Sequence, residues 1–263
     1  MRGFGFVITS IAVMALVLAS GTGHAQTPVY EGGTVEGDGK ITGTVTWTGE
    51  RPTLEPFEIN KNPEVCDTHG DGKRPSHRLM VSDSGGVANA VVYLEGITAG
   101  KPQSTAAATL DQVGCHYEPH VQVVPKRAEL TLKSKDAILH NIHMYGAASY
   151  NIPFPDKNEL VKRMRKAGVV RVQCDAGHGW MSAFIHVTDH PYYAVTDESG
   201  AFELDDVPPG KYTIKMWHAH WDVTGKTEKD GVVSGYEFPD PIEQTKSVEV
   251  SSGSVTVDFT LSL

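Results

Sequence analysis

Short runs in which apolar and polar residues alternate recur along most of the chain. Ile41 to Trp47 places Ile, Gly, Val and Trp on one face and Thr on the other. This period of two is the pattern of a half-buried β-strand. Similar runs, bounded by Gly- and Pro-rich turns, are found at 79–81, 90–94, 121–124, 130–132, 138–145, 169–173, 182–187, 194–204 and 207–217, with a hairpin at 248–261 around Ser252-Gly253. The pattern predicts an all-β protein.

Other segments lack this alternation. Asn158 to Lys166 is the one stretch with helical character, and Gly168 is placed to end the helix. Residues 49–77 are rich in Pro, Gly, Asp and Asn, which predicts long loops. Residues 26–39 are expected to be a flexible lead-in, and 99–107 a linker.

The composition is that of a globular protein. Of 263 residues, 40% are hydrophobic and 21% charged, which excludes both a disordered chain and a multi-span membrane protein. The formal net charge is -9, so the surface repels nucleic acid and suits basic partners.

The first 25 residues have the organisation of a cleaved signal peptide. Arg2 is followed by the apolar run Phe6 to Leu18 and by the small residues Gly23 and Ala25. The alternative is a membrane anchor, but the run is shorter than the roughly 20 residues that a span requires. We expect cleavage after Ala25, a periplasmic or secreted protein, and no membrane span in the mature chain.

There are three cysteines, Cys66, Cys115 and Cys174. In an oxidising compartment two of them are expected to pair, which leaves one thiol with another function. A bound metal ion is one such function.

The sharpest chemical signal is the segment Gln173 to Met181, which follows a predicted strand. Cys174, His178 and Met181 place a thiolate, an imidazole and a thioether on one short loop. With a second imidazole, this set matches electron-transfer copper, whereas structural zinc sites contain no thioether. Taken singly, each of these residues is better explained as an ordinary core or surface residue. The copper hypothesis therefore depends on their occurring together.

A second imidazole is available about 34 residues earlier, in Leu139-His140-Asn141-Ile142-His143. Here the sequence resembles the cupredoxin family, in which a His-Asn pair precedes a Cys…His…Met loop. The resemblance covers residues 107–186 and implies one mononuclear copper ion held by His140, Cys174, His178 and Met181. It also gives Asn141 the role of bracing the two ligand segments. His143 can exchange roles with His140, but strand alternation places the two on opposite faces.

A different resemblance covers residues 194–217. Thr196-Asp-x-x-Gly200-x-Phe202, followed by Val207-Pro-Pro-Gly-x-Tyr212, resembles the transthyretin-like, carboxypeptidase-regulatory-like β-sandwich. The opening strands of such a module resemble 41–45 and 89–94. We therefore expect a cupredoxin Greek-key sandwich at 103–189, inserted in a second sandwich of 40–101 plus 191–263; a tandem order is the alternative. The combination resembles exported bacterial cupredoxin-containing proteins of poorly defined function.

Once Cys174 is assigned to the metal, Cys66 and Cys115 remain as a disulfide, with two free thiols as the alternative. Twelve histidines are many for this chain. His116, His120 and His143 are candidates for a secondary, labile metal site, with solvated surface imidazoles as the simpler explanation. His218 and His220 project to one face if their strand continues.

Electron transfer through a lone copper ion, with an unidentified redox partner protein, is the function that the ligand set favours. Copper storage, delivery or resistance, with a copper-donor protein as partner, is the main alternative. A structural or carbohydrate-binding exported module is another. An enzyme is less favoured, because no three-histidine cluster is evident within one strand.

Overall fold

A computed structural model describes residues 29–37, 39–156 and 158–263. The expected signal peptide lies outside these residues. Within them, no helix has the length and apolar character that crossing a bilayer requires. The expected all-β class is confirmed, because the described part contains strands and only one short helix.

The segment before residue 101 contributes strands to more than one sheet. Its elements are β1 (Glu31–Gly32), β2 (Gly39–Trp47), β3 (Phe57–Glu58), α1 (Pro63–Cys66), β4 (Lys73–Arg74), β5 (Val91–Glu95) and β6 (Ala99–Gly100). In β2, alternate residues are buried, as the period of two predicts.

The central segment forms two sheets of its own. Its strands are β7 (Ala108–Gln112), β8 (Tyr117–Glu118), β9 (Val121–Pro125), β10 (Glu129–Lys133), β11 (His140–Gly146), β12 (Tyr150–Phe154), β13 (Glu159–Arg163), β14 (Gly168–Gln173) and β15 (Ser182–Thr188). One sheet has the order β13-β10-β7-β8 and the other β12-β11-β14-β15-β9. Apolar side chains from both sheets, among them Leu110, Leu130, Ile142 and Ile185, share one buried core. We call this unit the first sandwich.

The last segment completes a separate pair of sheets. Its strands are β16 (Tyr193–Val195), β17 (Ala201–Val207), β18 (Gly210–His218), β19 (Gly225–Lys229), β20 (Val232–Glu237), β21 (Ile242–Val250), β22 (Ser254–Thr256) and β23 (Phe259–Leu261). Strands β16-β5-β18-β21 form one sheet, and β17-β2-β22 with β23 form the other. Their shared core contains Ile41, Leu94, Phe202 and Ile214. We call this unit the second sandwich.

The early strands β2 and β5 find their strand partners far along the chain. β2 pairs with β17, β22 and β23. β5 pairs with β16 and β18. The two sandwiches meet through a small apolar cluster, in which Val121 and Phe184 of the first touch Val91 and Trp217 of the second.

The helix expected over residues 158–166 is wrong. Glu159–Arg163 is the edge strand β13, which pairs antiparallel with β10, and Arg163 forms an ion pair with Glu129. Its burial alternates residue by residue, because a charged edge strand exposes one face to solvent. A charge-rich segment suits such an edge as well as it suits a helix.

The expected hairpin around Ser252-Gly253 is also wrong. β21 belongs to the sheet of β18, whereas β22 and β23 run parallel to β2 in the facing sheet. The turn therefore leads the chain from one sheet of the second sandwich to the other.

Segments expected to be irregular contain short ordered elements instead. In the lead-in, β1 pairs with β6, which lies in the expected linker. The long loop at 49–77 contains β3, α1 and β4, with β3 paired to β4. At 79–81, by contrast, the expected strand is reduced to a single bridge between Val81 and Val87.

Candidate metal centre

Two neighbouring strands bring the predicted ligand segments together. β11 begins at His140, and β14 ends at Gln173, directly before Cys174. The strands are antiparallel, with His143 opposite Gln173, so the start of β11 lies beside the loop that follows β14. The loop of residues 174–181 then leads into β15, and the Met181 amide donates to the His178 carbonyl at 2.9 Å.

Three ligand atoms converge at this end of the first sandwich. The Nδ1 atoms of His140 and His178 are 3.2 Å apart, and Cys174 Sγ lies 3.6 Å from His178 Nδ1. All three side chains are buried, and their ligand atoms lie close enough together to share one metal ion. Met181 is buried in the same core, next to Trp180 on the loop.

The Nε2 atoms of both imidazoles already have hydrogen-bond partners. His140 Nε2 lies 2.9 Å from an Asp136 carboxylate oxygen, and His178 Nε2 lies 3.2 Å from the Asn62 side-chain oxygen. Both partners accept hydrogen bonds, so each Nε2 carries the proton and each Nδ1 presents a lone pair. Two lone pairs facing each other at 3.2 Å repel, and a cation between them removes that repulsion.

Asn141 connects the two ligand segments. Its backbone N–H donates to Cys174 Sγ at 3.4 Å, and its side-chain oxygen accepts the Asp175 amide. Its side-chain nitrogen donates to Asn151 at 2.6 Å. These bonds hold the cysteine loop against β11, which is the bracing that the family resemblance implies.

Burial favours the neutral forms of two of these groups. It lowers the pKa of His178 to about 3, with the electrostatic effect of the neighbouring His140 as a further cause. Burial also raises the pKa of the Cys174 thiol, although backbone hydrogen bonds oppose the shift. For Asp136, burial acts to raise the pKa, but hydrogen bonds from His140 and from the Cys115 and Gly114 amides outweigh it and hold the pKa below its ordinary value. A bound cation would replace the thiol proton.

Cys66 and Cys115 form a disulfide, and Cys174 is a free, buried cysteine. Cys115, Asp136 and His140 also lie close together. That cluster is not a metal site, because the Cys115 sulfur is bonded to Cys66 and the Asp136 carboxylate accepts from His140.

The other candidate histidines lie away from these ligand atoms. His143 is on the outer face of β11, where it contacts Asp175 and Tyr145. His116 Nε2 lies 2.7 Å from a Glu118 carboxylate oxygen, and His120 Nδ1 lies 2.9 Å from the Ser182 carbonyl oxygen. Neither cluster of metal-ligand atoms among the described residues includes any of the three. His218 is buried at the end of β18, and His220 lies beyond it, so their strand does not continue.

Two residues of the site escape sequence reasoning. Asp136 stands four residues before His140, and that spacing is its only sequence signal. Asn62 comes from the long loop, in a left-handed conformation at the start of α1, and no pattern links it to His178. The hairpin of β19 and β20 also packs closely against the loop of residues 174–181, since a Cβ at Gly179 would lie 2.6 Å from the Gly235 nitrogen.

A family model described as "BOS complex subunit NOMO1-like, second beta sandwich domain" matches residues 188–237. The match spans β16 to β20 and includes the motif that resembles a transthyretin-like sandwich. No curated protein sequence matches the chain.

Solved structures resemble about a third of the chain. A purple cupredoxin from Nitrosopumilus maritimus is 18% identical, with a TM-score of 0.27, over 31% of this chain and 99% of that one. An oxidised mutant of amicyanin is 20% identical, with a TM-score of 0.29, over 32% and 85%. A pseudoazurin from Sinorhizobium meliloti is 21% identical, with a TM-score of 0.27, over 32% and 75%. The similarities lie with the two kinds of β protein that the sequence resembles.

Proposed function

We propose that the chain is an exported electron-transfer protein with one mononuclear copper ion of the blue-copper kind. The observation that carries the proposal is the convergence of two imidazole Nδ1 lone pairs on a free, buried thiol, with both Nε2 atoms held by acceptors. His140, Cys174 and His178 would hold the ion, and Met181 would be a further, weak donor.

The donor set suits copper better than zinc. A thiolate and a thioether favour Cu(I), and imidazole binds both oxidation states. When bound, copper supplies a one-electron couple. The protein's contribution is to hold the ligands: Asp136 and Asn62 orient the imidazoles, and the Asn141 amide donates to the cysteine sulfur. A rigid ligand set keeps the structural change between oxidation states small.

Burial of the ligands favours electron transfer over copper delivery. His140 and His178 are fully buried and Cys174 is 2% exposed, so a copper chaperone could not reach them without opening the site. An electron needs no such opening. The partner is then a redox protein, and the acidic surface of this chain suits a basic one.

We also propose that the first sandwich, residues 103–189, is inserted between 40–101 and 191–263. The pairing of β2 and β5 with strands beyond residue 191 supports this order. In this arrangement, Lys61 next to α1 and Val232 of β20 both lie near Gly177 of the loop 174–181.

Export is part of the proposal. The first 25 residues have the organisation of a signal peptide, and the disulfide of Cys66 with Cys115 suits an oxidising compartment such as the periplasm. The same disulfide joins α1, and so Asn62, to the first sandwich.

Voltammetry and chelator competition on the copper-loaded mature protein test the functional part. An electron carrier cycles reversibly and retains Cu(I) against a chelator. The variant Asn62→Ala, which removes the acceptor at His178, should lose copper faster, whereas His143→Ala on the outer face should not. Rapid loss of Cu(I) from the unmodified protein, without reversible cycling, contradicts electron transfer.

A further inference from the structure

A cavity of about 350 Å³ lies where the two sandwiches meet, separate from the proposed copper ligands. Its walls come from the segments around residues 74–80, 88–89, 116–120, 180–182 and 196–198. Ligand sites are common at such junctions between packed units. Three aromatic side chains, Phe57, Tyr117 and Trp180, contribute apolar wall.

An arginine without an acidic partner lies in this wall. Arg78 is 5% exposed, and no carboxylate in the described part of the chain lies within ion-pair distance of it. It donates to the His220 carbonyl at 2.7 Å and to Ser182 Oγ at 3.2 Å, and it stacks on Phe238. These contacts are all neutral. A buried charge without a counterion is costly, and an anionic ligand removes that cost.

A second arginine of the wall is also short of acceptors. Arg74 donates to the carbonyls of Cys66 and Gly114 and lies 3.1 Å from His116 Nδ1, but its Nε is buried without a partner. Asp67 and Asp136 are the acidic groups that act on it, and neither is within ion-pair distance.

The acidic side chains of the wall are engaged elsewhere or exposed. Glu118 binds His116, Asp197 accepts from its own turn, and Glu198 is exposed at the rim. None of these carboxylates lies within ion-pair distance of Arg78, so the buried charge of Arg78 has no counterion in the wall.

His120 adds an unfilled acceptor. Its Nδ1 donates to the Ser182 carbonyl at 2.9 Å, so Nε2 presents a lone pair, and that atom is buried without a partner. Because Arg78 and His120 both bond to Ser182, they lie on the same side of the cavity. A ligand that satisfies both carries an anionic group and a hydrogen-bond donor, of which a hydroxyl is the simplest.

We propose that this cavity binds a small organic hydroxy acid. Its carboxylate is bound by Arg78, its hydroxyl donates to His120 Nε2, and its apolar body packs on Phe57 and Trp180. The site does not require copper, so the proposal stands or fails independently of the metal centre.

Calorimetric titration of the copper-free mature protein tests this, with 3- and 4-hydroxybenzoate as probes. The comparison compounds are benzoate, which lacks the hydroxyl, the hydroxybenzamides, which lack the charge, and inorganic phosphate, which lacks the apolar body. We expect one hydroxybenzoate per chain and at least about tenfold weaker binding of the corresponding amide, since a buried charge loses its partner.

Two variants and a control assign the contacts. Arg78→Gln should weaken hydroxybenzoate binding about tenfold or more. His120→Phe, which keeps a ring against Phe184, should bind hydroxybenzoate and benzoate equally. Arg163→Gln removes an exposed arginine that does not line this cavity and should bind like the unmodified protein. Circular dichroism and thermal unfolding establish that each variant folds.

Four results overturn the proposal. They are the absence of binding by any hydroxybenzoate, equal binding of acid and amide, equal losses in Arg78→Gln and Arg163→Gln, and phosphate binding as tight as that of the hydroxybenzoates. The last would identify a simple oxyanion site.

Discussion

Replacing Asp136 with Ala should weaken both the fold and the metal centre. The Asp136 carboxylate is 7% exposed and accepts three hydrogen bonds, from His140 Nε2 at 2.9 Å and from the Gly114 and Cys115 amides at 2.7 and 2.8 Å. Asp136→Ala removes both acceptor oxygens and leaves three donors without partners, two of them on buried residues.

The size of the loss follows from these contacts. Hydrogen bonds to a charged group contribute about 1.5–3 kcal/mol each. Because water can enter the space that the carboxylate leaves, we take the lower end and expect the free energy of unfolding to fall by about 3–5 kcal/mol. Loss of the group that orients a metal-bound imidazole should also weaken metal binding by about 10–100-fold.

Urea unfolding of the copper-free protein measures the first effect, and competitive titration with a copper chelator measures the second. Glu118→Ala is the matched control, since it removes an exposed carboxylate 2.7 Å from His116. That pair should contribute no more than about 1 kcal/mol. If the two variants are equally stable and bind copper equally well, the role assigned to Asp136 is refuted.

Three further predictions concern other parts of the molecule. Met181→Leu should retain copper and raise the reduction potential, because a weak donor to Cu(II) is removed. Voltammetry measures this, and loss of copper contradicts the role of a weak donor. Removing the disulfide with Cys66→Ala and Cys115→Ala should lower the free energy of unfolding by about 4 kcal/mol, given the 49-residue separation; unchanged urea unfolding contradicts this. Stability should fall as the pH drops from about 6.5 to 4, because burial lowers the pKa of His186 and His218 to about 4, so the unfolded chain binds more protons in that range. Urea unfolding at several pH values measures the slope, which should be shallower in His218→Gln; an equal slope contradicts the assignment.

The candidate ligands were open to sequence reasoning because they are concentrated in two short segments. Cys174, His178 and Met181 share one loop, and His140 begins a strand whose alternation shows which face it occupies. The strand pattern is equally local, which is why the all-β class follows from it.

Long-range partners could not be foreseen in this way. Asn62 reaches His178 across 116 residues of sequence, through a loop whose conformation depends on the packing around it. The cavity around Arg78 and His120 likewise combines segments from both sandwiches. The errors at 158–166 and 248–261 have a related cause, since an edge strand and a layer crossing are decided by neighbouring strands and not by local pattern.

The central claim is that Cys174 is the thiolate of a copper site shared with His140 and His178. The direct test is the absorption and electron paramagnetic resonance spectrum of the Cu(II)-loaded mature protein, beside those of Cys174→Ala and His143→Ala. We predict an intense sulfur-to-copper charge-transfer band that is lost in Cys174→Ala and kept in His143→Ala. A colourless Cu(II) protein, or a band that survives in Cys174→Ala, contradicts the account.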